Sequence, residues 1–390
     1  MDSPVYINPS AKDWIYISSE SSTESRILEF HQLLPDYNET KLHALPELAA
    51  ELGLAHVLLK DESNRFGLPA FKILGASWCV YRVVGDALGI DVVYNKPSIE
   101  DLGSAATDAG VSIVTATEGN CGRAVSRMAK YLGIPVRVFV PSYMDRQTRN
   151  KIRSEGAEVI EVQGSYDDTI PVIRKEAEQE KVLLVLDVGL EGFEDVPKYF
   201  VEGYGTMLAE SDRQVLEATG GKSATHAIVP CGAGSIAQAV TEHFKGAQRR
   251  SKLGPASIIA VEADTAASLK ASLQAGRSIS IVTKDTIMCG MNCGTLSTLA
   301  WPILKDGVHA SVVVTDQESH AAVVLLQNKG VMAGPCGAAS VAALKRVCAE
   351  YRDILGLGTE SIAVLYCTEG PRAYTVPFEV QGRDVMMIHE

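Results

Sequence analysis

An α/β protein of two lobes, built from mostly parallel sheets flanked by helices, is expected from three features of the chain. Short apolar runs alternate with amphipathic stretches of helical period. Most of the runs stop at a Gly, Pro, Thr or Asp, as buried strands do where they turn. The length, 390 residues, suits two domains or one large bilobed unit.

The elements follow in order. His56–Leu59 reads as a strand that leads through a polar loop into a helix starting at Lys72. Ser112–Ala116, Pro135–Val140 and Val182–Leu186 read as buried strands, with helical patterns at Arg123–Leu132, Gln147–Ser154 and Ile170–Glu180. His226–Val229, Ser257–Val261 and Ser361–Tyr366 repeat the strand pattern, accompanied by helices at Ile236–Phe244 and Ala338–Glu350. Strand, helix, strand in that order implies parallel pairing with helices on both faces, joined by right-handed crossovers. Two such units stand out, Ser112 to about Glu161 and His226 to Glu262, separated by the polar segment Gly164–Asp168 and a long helix. The expected division is a small domain over 90–200 and a large, cofactor-binding domain over 1–89 and 201–390.

Composition narrows the function. With 46% hydrophobic and 22% charged residues, the chain is ordinary for a globular protein. A net charge of −12 argues against a nucleic-acid binder, which needs a basic face to displace counterions. It also gives no reason to expect a membrane surface as partner. Eight cysteines lie mostly in apolar or Gly-rich runs without a C-x-x-C pair, so they read as reduced thiols of a cytoplasmic protein and not as a zinc or redox motif. No metal site is assigned. The opening residues lack a basic region followed by an apolar one, and no run of 18 apolar residues occurs, so neither a secretory signal nor a membrane span is expected.

Ligands of open parallel sheets bind beyond the carboxyl ends of the strands, and four segments there carry chemistry. In the segment Lys60–Ala76, Lys72 lies between Phe71 and Ile73 at a helix start. Desolvation there is expected to lower its pKa and free a nucleophilic amine. Thr117-Glu118-Gly119-Asn120-Cys121-Gly122 follows a strand and opens a helix, where free backbone amides receive a carboxylate. Gly232-Ala233-Gly234-Ser235-Ile236 also joins a strand to a helix. It lacks the third glycine of a dinucleotide motif and the lysine of a P-loop, so a lone phosphate fits best. Thr368 places a hydroxyl at the end of the last strand. Taken singly, each has a plain alternative: a surface lysine, a strand-to-helix turn, a tight turn, a loop cap.

Together the four supply an aldehyde-capturing amine, a carboxylate loop, a phosphate cup and a hydroxyl for a ring nitrogen, the parts a pyridoxal 5'-phosphate enzyme requires. The stretches Lys60–Leu74, Thr117–Gly122, Ser165–Thr169, Asp187–Met207, Gly232–Ile236, Asp285–Leu304, Gly337–Ala339 and Thr368–Gly370 occur in the order seen in the fold type II pyridoxal phosphate enzymes. The sequence resembles that tryptophan synthase β-subunit-like group, and within it the diaminopropionate ammonia-lyases. The segment Thr286–Gly294, with Trp301 following, is especially similar to that subgroup.

The resemblance implies the tryptophan synthase β-like fold, a homodimer, and roles for individual residues. Lys72 matches the lysine that binds the cofactor covalently, Asn120 the neighbour of its phenolic oxygen, Gly232, Ala233, Gly234, Ser235 and Ile236 its phosphate cup, and Thr368 the residue facing its pyridine nitrogen. Thr117, Gly119, Asn120 and Cys121 match the loop for the substrate carboxylate. Asp187 matches a catalytic aspartate, and Glu118 falls where the subgroup carries a second one. Three departures accompany these matches. Glu118 is one methylene longer than Asp, Cys121 replaces a usual His, and Gly334-Pro335-Cys336-Gly337 lacks the Glu common before its last glycine. The expected reaction is α,β-elimination of a small β-substituted amino acid, 2,3-diaminopropionate above others, to pyruvate and ammonia. The competing readings are a serine or threonine dehydratase, a β-replacement synthase or an amino-acid racemase on the same fold, and, from another class, a non-catalytic ligand-binding protein.

Overall fold

The structure, a computed structural model, describes residues 3–17 and 24–377. Among these residues eleven strands form: β1 (Val5–Ile7), β2 (Leu42–Ala44), β3 (His56–Asp61), β4 (Ser112–Ala116), β5 (Val136–Pro141), β6 (Glu158–Val162), β7 (Val182–Leu184), β8 (His226–Pro230), β9 (Ser257–Ala263), β10 (Ala310–Val314) and β11 (Ile362–Cys367). Two compact units result, one of Met1–Glu20, Glu39–Arg65 and Met207–Glu390, the other of Ser21–Asn38 and Phe66–Thr206. No helix of the described residues is long and apolar enough to cross a membrane.

The first unit holds a seven-stranded sheet in the order β1-β10-β9-β8-β11-β3-β2. Its interior pairs are parallel and its two edge strands antiparallel. Both faces are covered, so β8 is buried along its whole length, as is β11. That explains why these strands read as unbroken apolar runs and not as alternating ones. Leu59, Ile228, Ile259 and Leu365 pack there with Ala338, Val341 and Leu344 of the helix Pro335–Glu350.

The second unit holds a four-stranded parallel sheet, β6-β5-β4-β7. Val114, Ala116, Phe139, Ile173 and Leu186 form the core on one of its faces. The helix Lys72–Leu88 belongs to this unit, as does the helix Glu24–Leu33. The expected division left both in the large domain, and tertiary contacts explain the difference. A Cβ on Gly203 would lie 2.4 Å from the Leu74 carbonyl oxygen, and one on Gly75 would lie 2.8 Å from that of Phe200. The helices Lys72–Leu88 and Asp195–Gly203 therefore meet backbone to backbone. His31 adds a polar clasp: Nε2 lies 3.0 Å from the Leu74 carbonyl and Nδ1 2.7 Å from Thr206 Oγ1. A carbonyl only accepts, so Nε2 carries the proton and Nδ1 accepts from the threonine.

Candidate active site

In the second unit Lys72 is the first residue of its helix. Its side chain is 24% exposed, and Nζ donates to Asp187 Oδ2 at 2.5 Å. Asp187 follows β7 and is buried. The Phe71 ring centroid lies 5.2 Å from Nζ, and Tyr204 packs on that ring at 4.8 Å. Burial acts as the sequence reading expected, against the ammonium. The Asp187 carboxylate outweighs it, with Tyr204 and Cys121 adding to the effect, and Lys72 is held well above the usual lysine range. The expectation of a lowered lysine pKa is therefore corrected: an ion pair with a residue 115 positions away reverses the effect of the apolar neighbours. Burial likewise raises the Cys121 thiol, with Asp187 adding and Lys72 opposing, so Cys121 carries its proton near neutral pH.

The loop after β4 is built around one hydroxyl. Thr117 Oγ1 accepts from the Gly119 and Gly122 amides, each at 2.9 Å. A Cβ on Gly122 would lie 2.3 Å from Thr117 Cγ2, so this turn has no room for a side chain. The glycine amides expected to be open to a carboxylate are thus engaged by Thr117. The amides of Asn120 and Cys121, and the Asn120 side chain, make no hydrogen bond among the described residues. Glu118 is exposed and accepts from the Tyr143 hydroxyl at 2.5 Å.

In the first unit β8 ends at Pro230 and the helix Ser235–Lys245 begins five residues later. Gly234 adopts φ +103°, and a Cβ on it would meet that of Ala300 at 2.8 Å, so only glycine fits without strain. The amides of Gly232, Ala233, Gly234, Ser235 and Ile236 meet no acceptor among the described residues. The buried Ser235 lies beside them. The segment Cys289–Cys293 packs on this turn: a Cβ on Gly232 would lie 2.9 Å from the Gly290 carbonyl oxygen.

Thr368 follows β11 and is buried. Its neighbour Glu369 accepts from the Cys336 amide at 3.1 Å, at the start of the helix Pro335–Glu350. A Cβ on Gly334 would lie 2.9 Å from Glu369 Oε1. The glycine at this turn thus has a steric reason: a buried carboxylate already stands there.

Each group, within its own unit, has the chemistry of one part of pyridoxal phosphate. A run of amides without acceptors at a helix N-terminus suits a phosphate monoester, the Thr368 hydroxyl suits a pyridine nitrogen, and the Lys72 amine suits an aldehyde. Sequence reasoning missed Tyr143, Tyr204 and Glu369. The rule that sites gather at strand carboxyl ends could have found Tyr143, which follows β5.

Known proteins are similar over most of the chain. The diaminopropionate ammonia-lyase of Salmonella typhimurium is 33% identical over 299 residues, covering 74% of this chain and 72% of its own. That of Escherichia coli K12 is 30% identical over 357 residues, covering 88% and 87%. The E. coli enzyme solved with an aminoacrylate–PLP azomethine reaction intermediate superposes with a TM-score of 0.82 at 27% identity, covering 94% of this chain and 93% of that one. Maize serine racemase, at 22% identity and a TM-score of 0.69, shares the fold. A model of the family described as pyridoxal-phosphate dependent enzyme matches residues 33–360, and the chain belongs to that family.

Proposed function

We propose that this enzyme catalyses α,β-elimination of 2,3-diaminopropionate, giving pyruvate and ammonia. The observation that carries the reading is the Lys72–Asp187 ion pair at 2.5 Å. It sets a carboxylate beside the amine assigned to the cofactor, where a substrate with a second amino group gains and one with a second carboxylate loses. Support also comes from the relatives, which carry the name of that activity over most of their length.

Lys72, Asn120, Gly232, Ala233, Gly234, Ser235, Ile236 and Thr368 would hold the cofactor. When bound, its conjugated ring supplies the electron sink for the bonds at the substrate α-carbon. The chain's own residues supply positions and protons. Thr117 shapes the loop, whose Asn120 and Cys121 amides receive the substrate carboxylate. Lys72 Nζ takes the α-proton on one face and Glu118 on the other. Asp187 draws the proton from Lys72 Nζ and passes one to the leaving β-amine. Each such transfer contributes roughly 10²–10⁴-fold. Thr368 offers a neutral hydroxyl and not a carboxylate, so it gives a cationic ring nitrogen no counter-charge. That favours prompt loss of the β-substituent.

We further infer a cytoplasmic homodimer. Reduced thiols suit that compartment, and no disulfide forms among the described residues. Light scattering on the purified enzyme measures the assembly. The activity is tested by following pyruvate release from D- and L-2,3-diaminopropionate, D- and L-serine, and L-threonine. Preference for a diaminopropionate by tenfold or more in kcat/KM supports the reading. A preference for serine or threonine replaces it with a dehydratase.

A further inference from the structure

One hydrogen bond near the candidate site has no counterpart in the roles assigned so far. β4 and β5 are parallel neighbours, with Ala116 opposite Phe139. Their carboxyl ends therefore emerge side by side, one into Thr117-Glu118 and the other into Ser142-Tyr143. The second loop is tied down on both sides of Tyr143: the Ser142 amide donates to the Val162 carbonyl at 2.9 Å, and the Met144 amide to that of Pro141 at 3.0 Å. From this fixed turn the Tyr143 hydroxyl reaches Glu118 Oε1 at 2.5 Å.

The direction of the bond follows from its two partners: a carboxylate only accepts, so the phenol proton points to Glu118. Loss of solvent around the phenol, and then Glu118, keep the proton on Tyr143, and the charge of Asp167 in the helix Tyr166–Glu176 adds to them.

We propose that Tyr143 is a positioning residue for Glu118, holding its longer side chain in one orientation. The proposal rests on the reading of Glu118 as a proton carrier. Glu118 has one more rotatable bond than an aspartate in its place, and an anchor beyond its own loop restrains that freedom. Tyr143 then decides how well one face of the substrate is served, and with it the enzyme's use of one stereoisomer over the other.

The test uses the full chain with Tyr143→Phe and, separately, Glu118→Gln. Because Tyr143 is 63% exposed, removing its hydroxyl leaves the core untouched. In the cofactor-free protein, NMR relaxation of labelled glutamate side chains, with Glu118 assigned by its loss in Glu118→Gln, follows the mobility of the Glu118 side chain. Tyr143→Phe should lower its order parameter, because the bond that restrains the side chain is gone. In the loaded enzyme, kcat/KM for the stereoisomer that depends on Glu118 should fall about tenfold, as for loss of one hydrogen bond to a charged group, with the other stereoisomer unaffected. Unchanged mobility, or a looser side chain with an unchanged preference between the stereoisomers, overturns the proposal while Glu118→Gln still abolishes use of one stereoisomer. If Glu118→Gln is fully active on both, the reading of Glu118 falls and takes the proposal with it.

Discussion

Lys72 Nζ and Asp187 Oδ2 lie 2.5 Å apart, one carried by the first turn of the helix Lys72–Leu88 and the other by the loop after β7. The pair fixes the resting charge of the amine. Burial alone would strip the proton from Lys72, and the carboxylate keeps it there. The amine must lose that proton before it attacks a carbonyl carbon, and Asp187 is the acceptor in contact with it.

Asp187→Asn removes the charge and leaves the burial. The Lys72 pKa should then fall, so the pH at which the cofactor-free protein captures pyridoxal phosphate moves downward. Turnover should fall on the order of 10²–10⁴-fold, as for loss of a proton-transfer group. Absorbance stopped-flow for capture and pyruvate release for turnover measure the two. Faster capture at neutral pH with slower turnover separates a charge effect from general damage.

Thr117→Val keeps the shape of the side chain and removes the acceptor for the Gly119 and Gly122 amides. Each lost bond costs about 1–3 kcal/mol where the amide stays buried. The loop should loosen, and KM should rise more than kcat falls. Steady-state kinetics with diaminopropionate give that comparison.

Gly234→Ala places a side chain at φ +103° and against Ala300. A left-handed backbone costs an L residue about 1–2 kcal/mol, and the steric contact adds to it. Cofactor affinity should drop about tenfold or more, with a smaller loss in melting temperature. Fluorescence titration with pyridoxal phosphate checks the first and calorimetry the second.

Glu210 sits between Lys60 and Arg65, its carboxylate 2.7 Å from each, and all three side chains are at most 2% exposed. Burial pushes Glu210 up, but Arg65 and Lys60 outweigh it and hold it well below its ordinary value of 4.5. A carboxylate lowered in this way stabilises the fold above pH 4.5. That stability is lost as pH falls further, because the unfolded chain takes up the proton first. Glu210→Ala leaves two buried cations short of a partner and should cost about 3–5 kcal/mol. Urea denaturation from about pH 7 to about pH 3 should show both the loss and a flatter acid dependence in the variant.

The strands were legible where burial on both faces makes them continuous apolar runs. Ser112–Ala116 matches β4 residue for residue, and His226–Val229 stops one residue short of β8. The edge strands β1 and β2, three residues each, carry too short a pattern to read. The segments of the candidate site could be named from glycines, a lysine and a threonine at helix starts and strand ends, although each alone had a plain alternative. Their electrostatics were not. Phe71 and Ile73 announce burial of Lys72, but nothing near it in the chain announces Asp187. The glycines of the Thr117 loop look like open donors until the threonine hydroxyl is seen to occupy them. Tyr143 lies in another loop from Glu118, and only the parallel pairing of β4 with β5 brings the two together.

Borohydride reduction of the loaded enzyme, followed by proteolysis and mass spectrometry, tests whether Lys72 carries the cofactor. One peptide should bear a pyridoxyl group, on Lys72, and Lys72→Ala should yield neither that peptide nor pyruvate. A pyridoxyl group on a different lysine, or an active Lys72→Ala enzyme, would contradict the account.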